Sequence, residues 1–202
     1  MVKTVTFDLD GVYFTADSFQ RFKAALPKKV TAEDRVIWVL YKSPEMLAFK
    51  SGQLSESDYW AFAKKELGIT ITNAEIFKLL RDSYTVDPQV HEYARQIRSQ
   101  GLTTCICSNN FITRIRELDA KFSFLEDFTV RVFSYEVGAL KPDRRIFAEL
   151  VRQSGVRPQE IVYSDDDPGK LQGALDLGIN AFVYTGFADF TSRVDRLIGQ
   201  PA

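Results

Sequence analysis

The stretch VKTVTFDLDG, residues 2–11, alternates β-branched and aromatic residues and then breaks into acids and a glycine, which reads as a buried strand ending in a loop. Three later runs have the same build: LTTCICS from Leu102, EIVYS from Glu160 and NAFVY from Asn180. Each is short, apolar and followed by a helical periodicity. FTVRVF from Phe128 is a weaker fifth candidate. The helices between them carry boundary signals. Asp87-Pro88 opens one that closes at Gly101, Asp143 one that closes at Gly155, and Asp167-Pro168 one that closes at Gly178. Strands alternating with single helices predict an α/β fold, a doubly wound parallel sheet with right-handed crossovers and helices on both faces.

Residues 14–86 interrupt that alternation. They hold both tryptophans, Trp38 and Trp60, and a series of helix starts: Ser43-Pro44 before MLAF, Ser55-x-x-Asp58 before Tyr59, and Thr72-x-x-Glu75 before IFKLL. The chain is therefore expected to divide into a core, 1–13 with 87–202, and an all-helical insertion, 14–86, after the first strand. The insertion carries a slight excess of basic residues and the core a slight excess of acidic ones, which suits an anionic substrate held with a metal, although solvated helix faces produce the same balance.

Composition narrows the function classes. With 202 residues, 26 Lys and Arg against 27 Asp and Glu, and a net charge of -1, there is no field to attract a nucleic-acid backbone. A single histidine, His91, excludes multi-histidine metal centres; its place in VHEYARQIR, where Val90, Tyr93, Ala94 and Ile97 take the inner face, puts it on a solvated one. Cys105 and Cys107 are the only cysteines; two apart on a strand, they share a face and are read as unbridged core residues. The first apolar run, broken by Asp8, is too short for a membrane span or a secretory signal, and a cytoplasmic location is expected.

In open parallel sheets, ligands bind beyond the carboxyl ends of the strands. The residues there are Asp8, Asp10 and Gly11 in FDLDG, Ser108, Asn109 and Asn110 after the second strand, Lys141 in ALKPD, and the run Asp165, Asp166, Asp167. Each cluster alone is explained by a turn or a helix cap. Together they address one problem. A carboxylate attacking a phosphate monoester meets a like charge, and one such pair ~4 Å apart at an effective dielectric of ~20 costs roughly 4 kcal/mol. A hard cation held by carboxylates relieves that repulsion, with Asp8 and Asp166 as possible ligands. Lys141 would neutralise a phosphoryl oxygen, and the Ser108 hydroxyl would donate to it.

The four segments FDLDG, CSNN, LKPD and VYSDDDPGKLQGALDLGI resemble, in order, the motifs of the haloacid dehalogenase superfamily, and GQLSESDYWAFAKKELG at 52–68 looks like part of the helical (C1-type) cap of its subfamily I. The resemblance implies a Rossmann-like core and Mg²⁺ as cofactor. It implies Asp8 as nucleophile, forming an aspartyl phosphate, with Asp10 as acid and base and its backbone carbonyl on the metal. It further gives Ser108 and Lys141 as phosphoryl-binding groups, Asn109 and Gly11 as further phosphate contacts, Asp166 as metal ligand and Asp165 as its support. Two departures leave the ligand within Asp165 to Asp167 open. Asp167 stands where the family often has Ser, and Lys170 where it often has Asn; Asp167-Pro168 is read as a helix cap.

The expected function is hydrolysis of a small phosphomonoester, a sugar phosphate or similar metabolite, by a monomer or homodimer without nucleic-acid or membrane partners. Halide displacement is the nearest alternative, but the family's dehalogenase branch generally lacks an acid at the position of Asp10. A phosphomutase would share every core motif. From another class, a phosphoacceptor signalling module would place its aspartate after a middle strand without a helical insertion, and a non-catalytic metabolite-binding protein would not need the full motif set. Phe14, Asp17, Arg21, Trp38, Tyr41 and Lys42 are candidate substrate-lining residues in the insertion, with a core role favoured for the aromatic ones.

Overall fold

The computed structural model describes residues 1–199. Five strands, β1 (Thr4–Phe7), β2 (Thr103–Ser108), β3 (Val130–Phe133), β4 (Ile161–Asp165) and β5 (Asn180–Val183), form one parallel sheet in the order β3-β2-β1-β4-β5. The pairing Phe7 with Ile106 and with Ser164 sets the register on both sides of β1. All five sequence-predicted strands are present, the weakest of them, FTVRVF, as the edge strand β3.

Alternation along β1 explains the site's position. Val5 and Phe7 enter the larger apolar cluster, whereas Thr4, Thr6 and Asp8 have the opposite parity. Cys105 and Cys107, free and buried, pack with Val132, Phe147 and Tyr163 in the second cluster. The central strands β1, β2 and β4 are buried on both faces, which their near-continuous apolar runs require. Strand order reverses at β1, between β2 and β4, so the carboxyl ends of these three strands border one crevice.

Between β1 and β2 the chain is helical: α1 (Ser18–Ala25), α2 (Glu33–Ile37), a π turn over Trp38–Lys42, α3 (Pro44–Lys50), α4 (Glu56–Leu67), α5 (Asn73–Ser83) and α6 (Pro88–Ser99). The expected caps are formed. Ser43 accepts from the Met46 amide, Ser55 from Asp58, and Thr72 and Glu75 make a reciprocal capping box. The apolar cluster of the sheet continues into this segment through Phe49, Tyr59 and Trp60, and the Trp60 indole donates to Thr113 on α7 (Ile112–Phe122). The remaining helices are α8 (Ser134–Val137), α9 (Arg144–Ser154), α10 (Gln172–Leu175) and α11 (Phe187–Ile198). Among the described residues, no helix is long and apolar enough to cross a membrane.

Two expectations are corrected. The helix read from Asp167 to Gly178 is a 3-10 turn over Pro168–Lys170 and the four-residue α10. Asp167 does cap that turn, accepting from the Gly169 amide at 2.9 Å, but Gly169 and Gly173 disfavour a longer helix. His91 is not simply solvated. Its Nδ1 lies 2.7 Å from Asp127 and 2.9 Å from the Tyr13 hydroxyl, which also donates to Asp127 at 2.7 Å.

Candidate active site

Asp8 is the first residue past β1, and its amide extends the ladder by donating to the Ser164 carbonyl at 3.2 Å. The side chain is nearly inaccessible, and its Oδ1 sits 2.9 Å from Lys141 Nζ without hydrogen-bond alignment to any donor. A buried carboxylate oxygen left in that state is an electron pair available to a ligand or a cation. Burial and the neighbouring Asp165 both push the Asp8 carboxyl upward.

Lys141 is wholly buried, and its ammonium is fixed by fully enclosed partners. It donates to Asp165 at 2.6 Å, Tyr163 Oη at 2.8 Å and the Cys107 carbonyl at 3.0 Å. Burial alone would depress the amine, but Asp8 and Asp165 outweigh it and keep the lysine charged. Burial would likewise raise Asp165, yet Lys141 and Lys170 hold it at about 2. Lys141 is thus part of a buried network, with packing and hydrogen bonds as well as charge to lose.

Asp10 faces a different partner. Arg114, on α7, brings Nη2 to 2.7 Å from its Oδ2, and the same guanidinium donates to Asn110 at 2.6 Å and to Tyr84 Oη at 2.8 Å. Asp10 is the more exposed member of the pair, 35% against 5% for Arg114. One face of its carboxyl is therefore steered by protein while the other meets the cavity.

The acidic loop after β4 completes the site. Carboxylate oxygens of Asp8, Asp165 and Asp166 gather within 4.8 Å of one another, and burial with Asp8 alongside raises Asp166 to about 6. Lys170 Nζ lies 3.5 Å from Asp165, 4.0 Å from Asp166 and 3.8 Å from Asp167. Hard oxygen donors in surplus, one with an orphaned buried atom, are a donor set that fits a magnesium ion. Asp8 and Asp166 present it best, because Asp165 is engaged by Lys141, Tyr163 and the Asp167 amide.

Gly11 makes room for this arrangement. Its φ is +73°, and a Cβ there would stand 2.3 Å from Asp166 Oδ2. Gly11→Ala is expected to displace Asp166 and weaken Mg²⁺ binding by about tenfold or more, on the scale of losing a ligand's orientation; isothermal titration of the variant with Mg²⁺ checks it, and an unchanged affinity would separate Gly11 from the acidic loop.

Asp8, Asp10, Asn109, Lys141 and Lys170 all line one cavity of about 270 Å³. A larger open groove of about 740 Å³ along His91, Arg95 and Asp127 shares no residue with it. Ser108 ends β2 beside the site, buried, with Oγ accepting from the side-chain Nδ2 of Asn110 at 3.5 Å. The Asn109 side chain is spent on the loop that carries the lysine, donating to the Lys141 carbonyl at 3.0 Å and accepting its amide at 2.7 Å. It positions Lys141, and the second N–H of its side-chain amide is used in neither bond.

Of the insertion residues expected to line the cavity, only Tyr41 does. Phe14 is enclosed by Tyr13, Tyr84, Phe122 and Phe124, Asp17 and Arg21 pair with each other, Trp38 packs on Phe62 under Arg35, and Lys42 is exposed. Reasoning from the sequence missed Arg114, Tyr84, Tyr163 and Lys50. Arg114 carried a signal: it sits three residues from Phe111 and four from Leu118, on the helix face that is otherwise apolar.

A sequence model of the haloacid dehalogenase-like hydrolases matches residues 2–178. D-ribitol-5-phosphate phosphatase of Bacteroides thetaiotaomicron is 21% identical over 208 aligned residues, 98% of this chain and 99% of that one. The rat bifunctional epoxide hydrolase 2 is 23% identical over 130 residues; the match takes in 62% of this chain but only 24% of that longer protein. Among solved structures, a haloacid dehalogenase-family enzyme of Bacteroides thetaiotaomicron in complex with magnesium and inorganic phosphate superposes with a TM-score of 0.73 at 18% identity, covering 91% of this chain and 94% of its own.

Proposed function

Because the chain belongs to the haloacid dehalogenase-like hydrolases, we propose that it is a Mg²⁺-dependent phosphatase that hydrolyses a small phosphomonoester through an aspartyl phosphate on Asp8, with residues 14–86 as the cap over the cavity. The observation that carries the reading is the gathering of Asp8, Asp165 and Asp166 against Lys141 at a cavity Asp10 also lines. Phosphatase relatives and a magnesium and phosphate complex in the same fold support it.

Asp8 and Asp166 would hold the metal, which when bound supplies positive charge against the phosphoryl oxygens. Asp8 attacks phosphorus as the bond from phosphorus to the ester oxygen breaks, and Asp10, oriented by Arg114, gives its proton to the departing alkoxide. Water then attacks phosphorus of the aspartyl phosphate, Asp10 takes a proton from it, and the Asp8 carboxylate and inorganic phosphate separate. Lys141 presents fixed positive charge throughout; being held from several sides, it needs no reorganisation as the transition state forms.

Excess EDTA is expected to lower turnover of p-nitrophenyl phosphate by about a hundredfold or more, and Mg²⁺ to restore it and raise the melting temperature. Unchanged rates in EDTA would contradict the metal role.

A further inference from the structure

The cavity contains one cation that has no acid paired with it among the described residues. Lys50, the last residue of α3, lines it together with Asp8 and Asp10. The residue is 6% exposed, and its ammonium has neither a hydrogen bond nor an ion pair among the described residues; its contact is the Tyr41 ring, 4.2 Å from Nζ. Every other buried cation of the site has its acid: Lys141 has Asp8 and Asp165, Arg114 has Asp10, and Lys170 has the loop after β4. Burial, with Arg114 alongside, pushes Lys50 down to about 7, so its charge stands there at a cost that an anion would remove.

Its placement is built rather than incidental. The buried hydroxyl of Ser134, the first residue of α8, donates to the Lys50 carbonyl at 2.6 Å and accepts the Asn110 backbone amide at 3.0 Å, tying the end of α3 to the loop after β2. Two residues on, Gly52, at φ +69°, lies so close to the Tyr135 carbonyl that a Cβ would approach it to 2.3 Å. The turn after Lys50 is thus clamped to the core from two sides. Tyr41 is presented by the π turn, whose extra residue per turn shifts the face its side chains take.

We propose that Lys50, on the Tyr41 ring, binds a second acidic group on the leaving-group side of the substrate, so that the preferred substrates are small phosphomonoesters that also carry a carboxylate or a further phosphate. This rests on the phosphatase reading. Size-matched pairs test it: phosphoglycerate against glycerol phosphate for the carboxylate, and a sugar bisphosphate against its monophosphate for the second phosphate. In one arm the acidic member should have the higher kcat/KM by about tenfold, the scale of one charge-assisted hydrogen bond. Lys50→Met should erase that advantage mainly through KM, and Lys50→Arg should keep most of it. No preference in either arm, or an equal loss on both members of a pair in Lys50→Met, would overturn the proposal.

Should Lys50→Met fail to fold, the Asp8→Asn protein with Lys50 intact decides by binding alone. Glycerate should raise its melting temperature more than glycerol does, or a sugar bisphosphate more than its monophosphate, and equal shifts within both pairs would refute the role of Lys50. Absence of p-nitrophenyl phosphate turnover with Mg²⁺, alongside a preserved preference for glycerate, would instead locate the failure in the phosphatase reading.

Discussion

Asp8→Asn is expected to reduce turnover of any phosphomonoester by roughly 10⁴-fold or more, the scale on which removal of a nucleophile is felt. The amide keeps the volume of the carboxylate but offers no anionic oxygen to phosphorus. Folding should survive. The substitution removes one negative charge from a cluster in which Asp8 and Asp166 are both pushed upward, and Lys141 retains Asp165 at 2.6 Å. Steady-state rates and thermal melts on the same preparation separate the two effects. Activity within tenfold of the parent would remove Asp8 from its role, and a collapsed melt would make the loss one of structure.

Lys141→Met should injure both activity and stability. The ammonium is the shared counter-charge of Asp8 and Asp165, and its removal leaves enclosed carboxylates without compensation. Breaking a buried pair from one side typically costs about 3–5 kcal/mol. In a chain of this length that is roughly 6–20 °C of melting temperature. The double variant Lys141→Met with Asp165→Leu should recover part of the stability and none of the activity, because it removes a stranded charge without restoring the one facing phosphorus. Urea titrations of single and double variants measure this; equal stability of Lys141→Met and the parent would mean that the network is not the structural unit described.

The contrast between these residues shows what the sequence conveys. Strands β1, β2 and β4 could be read because a parallel sheet buried on both faces demands short apolar runs, and each ends in polar residues that have no place in a strand. Asp8, Asp10 and the acidic loop were visible for the same reason: they interrupt an apolar pattern at strand ends, whereas Lys141 stood out in ALKPD, before the helix that Asp143 opens. What pairs with what was not visible. That Asn109 clasps the Lys141 backbone, and that Arg114 reaches from α7 to Asp10, are consequences of the packing of distant segments. Insertion residues fared worst. Helical periodicity assigns Phe14 and Trp38 to an interior without saying which interior, and Lys50 reaches the cavity only because Ser134 and Gly52 fix the turn beside it.

The central claim is a covalent bond between Asp8 and phosphorus. Mixing the protein with Mg²⁺ and p-nitrophenyl phosphate, quenching in acid, reducing with borohydride and mapping the peptides tests it, since borohydride converts an acyl phosphate to the alcohol. The account predicts homoserine at position 8 in the parent and none in the Asp8→Asn protein. Phosphate release with an intact aspartate at that position, or reduction at Asp10 or Asp166 instead, would contradict it.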